Sequence, residues 1–125
     1  MTGEREIRLA IPCAWPGGLG ALRSCHFVQC DCFTLVDLNG ENILYAQIIP
    51  NPPHQQGECL DPVRLLKGHG TEAIIVHGIG CGPFTSFRRA GIEVYLGKGD
   101  EVQETVRAFL KDEISVIERS QVCGG

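Results

Sequence analysis

The dipeptide Asn39-Gly40 sits between two β-rich runs, and no other feature restricts the fold as much. Cys32-Phe33-Thr34-Leu35-Val36-Asp37 precedes it, and Asn42 to Ile49 follows it, stopped by Pro50-Asn51-Pro52-Pro53. Asn-Gly favours a tight hairpin because both central residues of that turn need positive φ, so the two runs pair antiparallel. Upstream, Ile7-Arg8-Leu9-Ala10-Ile11 is a short apolar run closed by Pro12, which predicts a first strand. The intervening stretch from Cys13 to Gln29 is broken by Trp15-Pro16-Gly17-Gly18 and predicts a long loop.

After the hairpin the pattern changes to alternating helices and strands. Asp61-Pro62 reads as a helix start, with Gly68 or Gly70 as its end. Ala73-Ile74-Ile75-Val76-His77 is apolar throughout, as a strand buried on both faces should be. Helices are predicted near 61–68, 83–90 and 100–111, the last capped by Asp100 with Gln103 at the capping-box position. Ile92–Leu96 is the fifth strand, and 113–125 reads as a polar tail with weak strand character at 114–117. A strand, a hairpin and then αβαβα predict an α/β domain, residues 1–112 with its core at 7–112. Its expected form is a three-layer, ribonuclease-H-like fold: a five-stranded mixed sheet with helices on its faces, strand two antiparallel to strand one.

The 125 residues suit one domain, and 15 acids against 11 bases give a formal charge of −4. That balance disfavours general nucleic-acid binding, whose affinity comes from excess Lys and Arg. No apolar run approaches the ~20 residues of a membrane span. The N-terminus, charged on both signs, lacks the apolar stretch of a signal peptide, so a cytoplasmic location is expected. Seven cysteines are then anomalous. Their odd number forbids complete pairing, and at least four free thiols are expected in a reducing compartment. Some can be core residues, but so many point to metal or redox chemistry.

On the expected topology, Cys13 follows strand one and Cys25, His26, Cys30 and Cys32 lie before or at the start of strand two. Cys59 and His54 follow strand three, and Cys81 follows strand four. Six cysteines thus fall near the carboxyl edge, where open α/β sheets bind ligands. If the chain is extended there, Cys30 and Cys32 project to one face. Thiolates and imidazole suit zinc, copper(I) and iron– or molybdenum–sulfur species, although the spacing matches no zinc-finger or ferredoxin pattern. Gly78-Ile79-Gly80-Cys81-Gly82-Pro83, between a strand and a helix, presents N–H groups to an anion or is simply a tight turn. It is neither a Walker loop nor a dinucleotide fingerprint.

At these residues the chain resembles the dinitrogenase iron–molybdenum cofactor family over roughly 7–112. The likeness rests on Ile7–Pro12, His26-Phe27 ahead of Cys32–Asp37, Asn51-Pro52, Gly78-Ile79-Gly80 and Ala90–Tyr95. It implies the same fold without nuclease activity, and binding of a metal–sulfur cluster or its precursor. It also implies that His26, before Phe27, is the cluster-binding histidine. The family's His-Phe-Gly-Arg reads His26-Phe27-Val28-Gln29 here, so a glycine and a cation are missing, and Arg23 could stand in for the latter.

The expectation is a non-catalytic carrier of an Fe–S, Mo–Fe–S or Mo–Cu–S cluster, working with cluster-donor or acceptor proteins. His26, Cys25, Cys30, Cys32, Cys81 and Cys13 are the candidate metal ligands; His26, Phe27, Gly78, Gly80 and Gly82 line the cluster. Alternatives are a thiol-based sulfur or redox protein, with Cys30 or Cys81 as nucleophile, and a zinc-stabilised interaction domain.

Overall fold

A computed structural model describes residues 6–26, 29–52 and 61–122. The chain runs β1 (Glu6–Cys13), β2 (Cys32–Asn39), β3 (Asn42–Pro50), α1 (Asp61–Gly68), β4 (Ala73–Val76), α2 (Cys81–Arg89), β5 (Glu93–Leu96), α3 (Val102–Leu110), β6 (Ser115–Val116) and α4 (Arg119–Val122). The strands form one mixed sheet in the order β3-β2-β1-β4-β5-β6. As expected, β2 is antiparallel to β1 and to β3, while β4 and β5 run parallel to β1.

Alternation along the strands divides the core between two faces. Ala10, Phe33, Leu35, Ile74 and Val76 pack with Val63 and Leu66 of α1 and Phe84 and Phe87 of α2. Leu9, Ile11, Val36, Ala73 and Ile75 pack with Val102, Val106 and Ala108 of α3. Among the described residues α1 and α2, with Val122 of α4, therefore cover one face and α3 covers the other, because each amphipathic helix has only one stripe to bury.

Three boundaries differ from the sequence reading. The sheet has six strands rather than five: β6 pairs antiparallel with β5, with Tyr95 opposite Val116. The segment expected as a tail thus carries β6 and α4 as far as Val122, because Ile114 and Ile117 are buried on opposite faces and anchor it. The cap of α3 is Glu101 rather than Asp100. Glu104, not Gln103, closes the box, its Oε1 accepting the N–H groups of both Asp100 and Glu101 at 2.9 Å. Those bonds hold the Glu104 carboxyl below its ordinary pKa.

Candidate functional site

The carboxyl ends of β1, β4 and β5 share one edge of the sheet, with the start of β2 and the end of β3 beside them. Register places Cys13 opposite Cys32, and Cys32 opposite Pro50. β1 connects to one side and β4 to the other, so this edge is the switch point of the sheet, the usual place for a ligand crevice. The expected convergence of Cys13, Cys30 and Cys32 on that edge is present.

Those three cysteines are packed rather than presented. Cys13 and Cys32 are fully buried, with sulfurs 3.6 Å apart, and Cys13 Sγ lies 3.1 Å from Thr34 Oγ1. Thr34 Oγ1 also accepts the Gly18 N–H at 2.9 Å, which ties the long loop over the pair. Burial, reinforced by Cys13, pushes the Cys32 thiol up to about 12. Cys30 is buried, and its backbone carbonyl accepts from Asn51 Nδ2 at 2.9 Å. Burial likewise raises its thiol to about 12. Cys30 and Cys32 do not share a face: Cys30 joins the α1/α2 core and Cys32 the α3 core. Two-residue alternation fails because β2 begins only at Cys32, leaving Cys30 outside the pleat.

The accessible groups are different ones. Cys25 and His26 are exposed on the loop, where the His26 N–H bonds Ser24 Oγ at 3.2 Å and the Ser24 N–H bonds Pro12 O at 2.9 Å. Phe27 lies outside the described residues, as do Cys59 and His54. Cys13, Cys25, Cys30 and Cys32 stand outside any disulfide. Cys81 is disulfide-bonded, so the thiolate expected of it as a ligand or nucleophile is not available in this state. Gly78 and Gly80 in the β4–α2 turn and Gly82 in the first turn of α2 are exposed, and a Cβ on Gly78 or Gly82 would meet nothing within 4 Å. Their backbone is open to approach from outside. Among the described residues, no three His, Cys, Asp or Glu side chains are gathered to hold a metal ion.

A cation stands at the centre of the edge instead. Arg23 is 8% exposed; it bridges to Cys13, and its backbone N–H bonds Asp100 O at 2.8 Å. Its Nη1 donates to Gly99 O at 2.8 Å, while its buried Nη2 has no hydrogen-bond partner among the described residues. Burial lowers its pKa, against the attraction of Asp100. Gly97 leaves room for it: a Cβ there would lie 2.8 Å from Nη2 and closer still to Ile75. His77, exposed at the end of β4, is held below its ordinary pKa by partial burial and by Arg23, so it is neutral at pH 7. Sequence reasoning passed over His77 as a site residue. Its place at the end of a buried strand, just before a glycine-rich turn, was the available signal.

Burial and accessibility make a testable division of the thiols. Iodoacetamide on the native protein should modify Cys25 rapidly, and Cys13, Cys30 and Cys32 only after unfolding, because attack requires an accessible thiolate. Peptide mass spectrometry reads this directly; rapid native labelling of Cys30 or Cys32 would contradict the packing described.

Together these features define an α/β domain whose carboxyl edge gathers three buried thiols, exposed glycine backbone and a buried guanidinium. Residues 8–112 match the dinitrogenase iron-molybdenum cofactor family, and the chain belongs to it. An uncharacterized protein of Methanocaldococcus jannaschii is 29% identical over 95 residues, covering 74% of this chain and 80% of that one. A Thermotoga structure described as a NifB protein superposes with a TM-score of 0.71 at 26% identity, covering 88% of this chain and 92% of that one. The apo orange protein of Desulfovibrio gigas shares the fold, with a TM-score of 0.73 at 23% identity over 88% and 92% of the chains. Among the described residues no helix is long and apolar enough to cross a membrane.

Proposed function

We propose that this domain is a non-catalytic, cytoplasmic carrier that holds an anionic metal–sulfur cluster, or its precursor, at the carboxyl edge of the sheet. The observation that carries this reading is the buried Arg23 guanidinium with an unsatisfied Nη2 at the switch point. Leaving a buried donor unpaired costs roughly 1–3 kcal/mol, more for a charged group, and an anion in the crevice would remove that cost. Family membership supports the choice of anion. In this reading Arg23 supplies charge, His26 and Cys25 are the accessible soft ligands, and neutral His77 is a further one. The exposed amides of Gly78, Gly80 and Gly82 donate to cluster sulfides or oxo groups. Cys13, Cys30 and Cys32 support the edge as packed neutral thiols. The cargo therefore arrives with its own sulfur ligands, delivered by a donor protein and passed to an acceptor.

The strand order and the helices on both faces support a ribonuclease-H-like description, as the family resemblance implies. The thiol-enzyme alternative would need Cys30 or Cys81 as a thiolate, and burial of the first and disulfide bonding of the second oppose it.

The test is anaerobic titration with iron–sulfur, molybdenum–sulfur and molybdenum–copper–sulfur species, followed by charge-transfer absorption. Wild type should bind at least one of them. His26→Ala should shift the spectrum and weaken binding ~10-fold or more, as loss of a ligand or of its close support does. Cys30→Ser should stay within about fivefold, the worth of a hydrogen bond of about 1 kcal/mol. No binding by wild type, or identical spectra with and without His26, would defeat the proposal.

A further inference from the structure

Three guanidinium groups converge between α2 and α4. A crevice of about 340 Å³ opens there, lined by Phe84, Thr85, Arg88 and Arg89 of α2 and by Arg119 at the start of α4. These are three of the chain's eight arginines, in a sequence of net charge −4. No carboxylate lines the crevice, and among the described residues the ion pairs are Arg8–Asp37 and Lys98–Glu113, which leave all three arginines out. The carboxy-terminal end of α2 does not use them either. Lys67 Nζ donates to Ala90 O at 2.8 Å, and the carbonyls of Ser86, Phe87 and Arg88 accept the N–H groups of Ala90, Gly91 and Ile92. The helix dipole favours cations at Arg88 and Arg89, but Arg119 comes from another element, anchored beside them by the buried Ile117. Arg88 lies over the Phe84 ring, 5.8 Å from its centroid, which occupies the face of the guanidinium and leaves its N–H edges for a ligand.

We infer that this crevice is a second binding site, separate from the carboxyl edge, for a small molecule carrying a phosphoryl group. Arg88 and Arg89 stand in the last turn of α2, about 10 Å along the helix from Gly82. Gathering like charges costs Coulomb energy that a bound anion reverses. Each guanidinium is a planar fork that meets two oxygens at once. A carboxylate has two oxygens, which one or two forks satisfy. A phosphoryl group offers three oxygens and about two negative charges, enough to engage all three forks. The volume falls within the roughly 300–1,000 Å³ of small-molecule pockets, so there is room for a second phosphoryl group or an organic remainder.

Calorimetric titration of the full chain with inorganic phosphate, pyrophosphate, AMP and ATP tests the inference. Wild type should bind pyrophosphate and ATP more tightly than phosphate, and higher salt should weaken both. Tighter binding of ATP than of pyrophosphate supports a site that also holds an organic remainder; equal affinity supports one that reads phosphates alone. Arg89→Gln and Arg119→Gln should each weaken binding ~10-fold or more, as loss of a charge-assisted hydrogen bond does. Both side chains are exposed, so the thermal midpoint should not move. Arg64→Gln, an equal charge change on α1, and Arg23→Met, at the carboxyl edge, should bind pyrophosphate as wild type does. Without any variant, pyrophosphate should protect Arg88, Arg89 and Arg119, but not Arg64, from phenylglyoxal, as read by peptide mass spectrometry. No binding by wild type, unchanged affinity in Arg119→Gln, a loss in Arg64→Gln or Arg23→Met as large as in Arg119→Gln, or no protection would each overturn the site.

Discussion

Replacing Arg23 by Met is expected to weaken binding of an anionic metal–sulfur species by about 10- to 100-fold while leaving the empty protein nearly as stable as wild type. A hydrogen bond to a charged group contributes roughly 1.5–3 kcal/mol, which is the stated range of affinity. Stability should move far less, because among the described residues no carboxylate forms a salt bridge with the buried guanidinium, and Met fills a similar volume. Removing a buried charge, only partly offset by the attraction of Asp100, compensates for loss of the Nη1 bond to Gly99 O. Arg23→Lys keeps the charge but loses the fork that can reach Gly99 and the cargo together, so its affinity should fall between the two. Gly97→Ala should imitate Arg23→Met in part, since the added Cβ would sit 2.8 Å from Nη2 and displace the group. Anaerobic titrations beside urea denaturation curves separate these effects. Unchanged affinity in Arg23→Met would remove the guanidinium from the site. Equal losses of affinity and stability would make it a structural residue.

Phe87→Ala should have the largest effect on the fold itself, lowering stability by about 3–5 kcal/mol. Phe87 is fully buried where α2 meets the sheet, in the cluster with Phe33, Ile74 and Val94. Its carbonyl also accepts the N–H groups of Ala90 and Ile92, which turn the chain from α2 into β5. The truncated side chain would leave a cavity among strand residues that cannot collapse onto it, because the sheet holds them in register. Against a total of about 5–15 kcal/mol for a domain, such a loss should be visible as a large fall in the urea midpoint with little change in slope. A loss under ~1 kcal/mol would mean that α2 packs loosely and does not fix the β4–α2 turn.

The elements that rest on local chemistry were legible in the chain. Asn39-Gly40 marks the hairpin, although Asn39 is the last residue of β2, paired with Asn42, and of the turn only Gly40 takes positive φ, at 59°. Ala73–Val76 is buried on both faces, as its unbroken apolar run requires. The parallel crossovers follow from alternating helices and strands. From these the carboxyl edge, and the gathering of Cys13, Cys30 and Cys32 along it, could be placed in advance. β6 could not be, because two residues carry too little pattern. Their strand exists only because β5 offers an unpaired edge to Ser115 and Val116. The cap of α3 falls at Glu101 rather than Asp100: Glu101 and Glu104 have the same spacing as Asp100 and Gln103, and Glu101 is also bridged to Leu22 of the long loop.

What each cysteine does was a tertiary matter. Identical thiols become inert or reactive through the surroundings that bury them, and those come from distant segments: Cys32 meets Cys13 across β1 and β2, and Cys30 meets Asn51. Arg23 shows the same division most clearly. Its residue type says only that a cation is available in a loop. The contact with Gly99, 76 residues further on, turns that cation into a buried charge with one donor left free. Composition and periodicity thus settled which elements form and which edge is chemically rich. Burial, which depends on packing between segments far apart in the chain, decided which groups on that edge keep their charge, their proton or their access to a ligand.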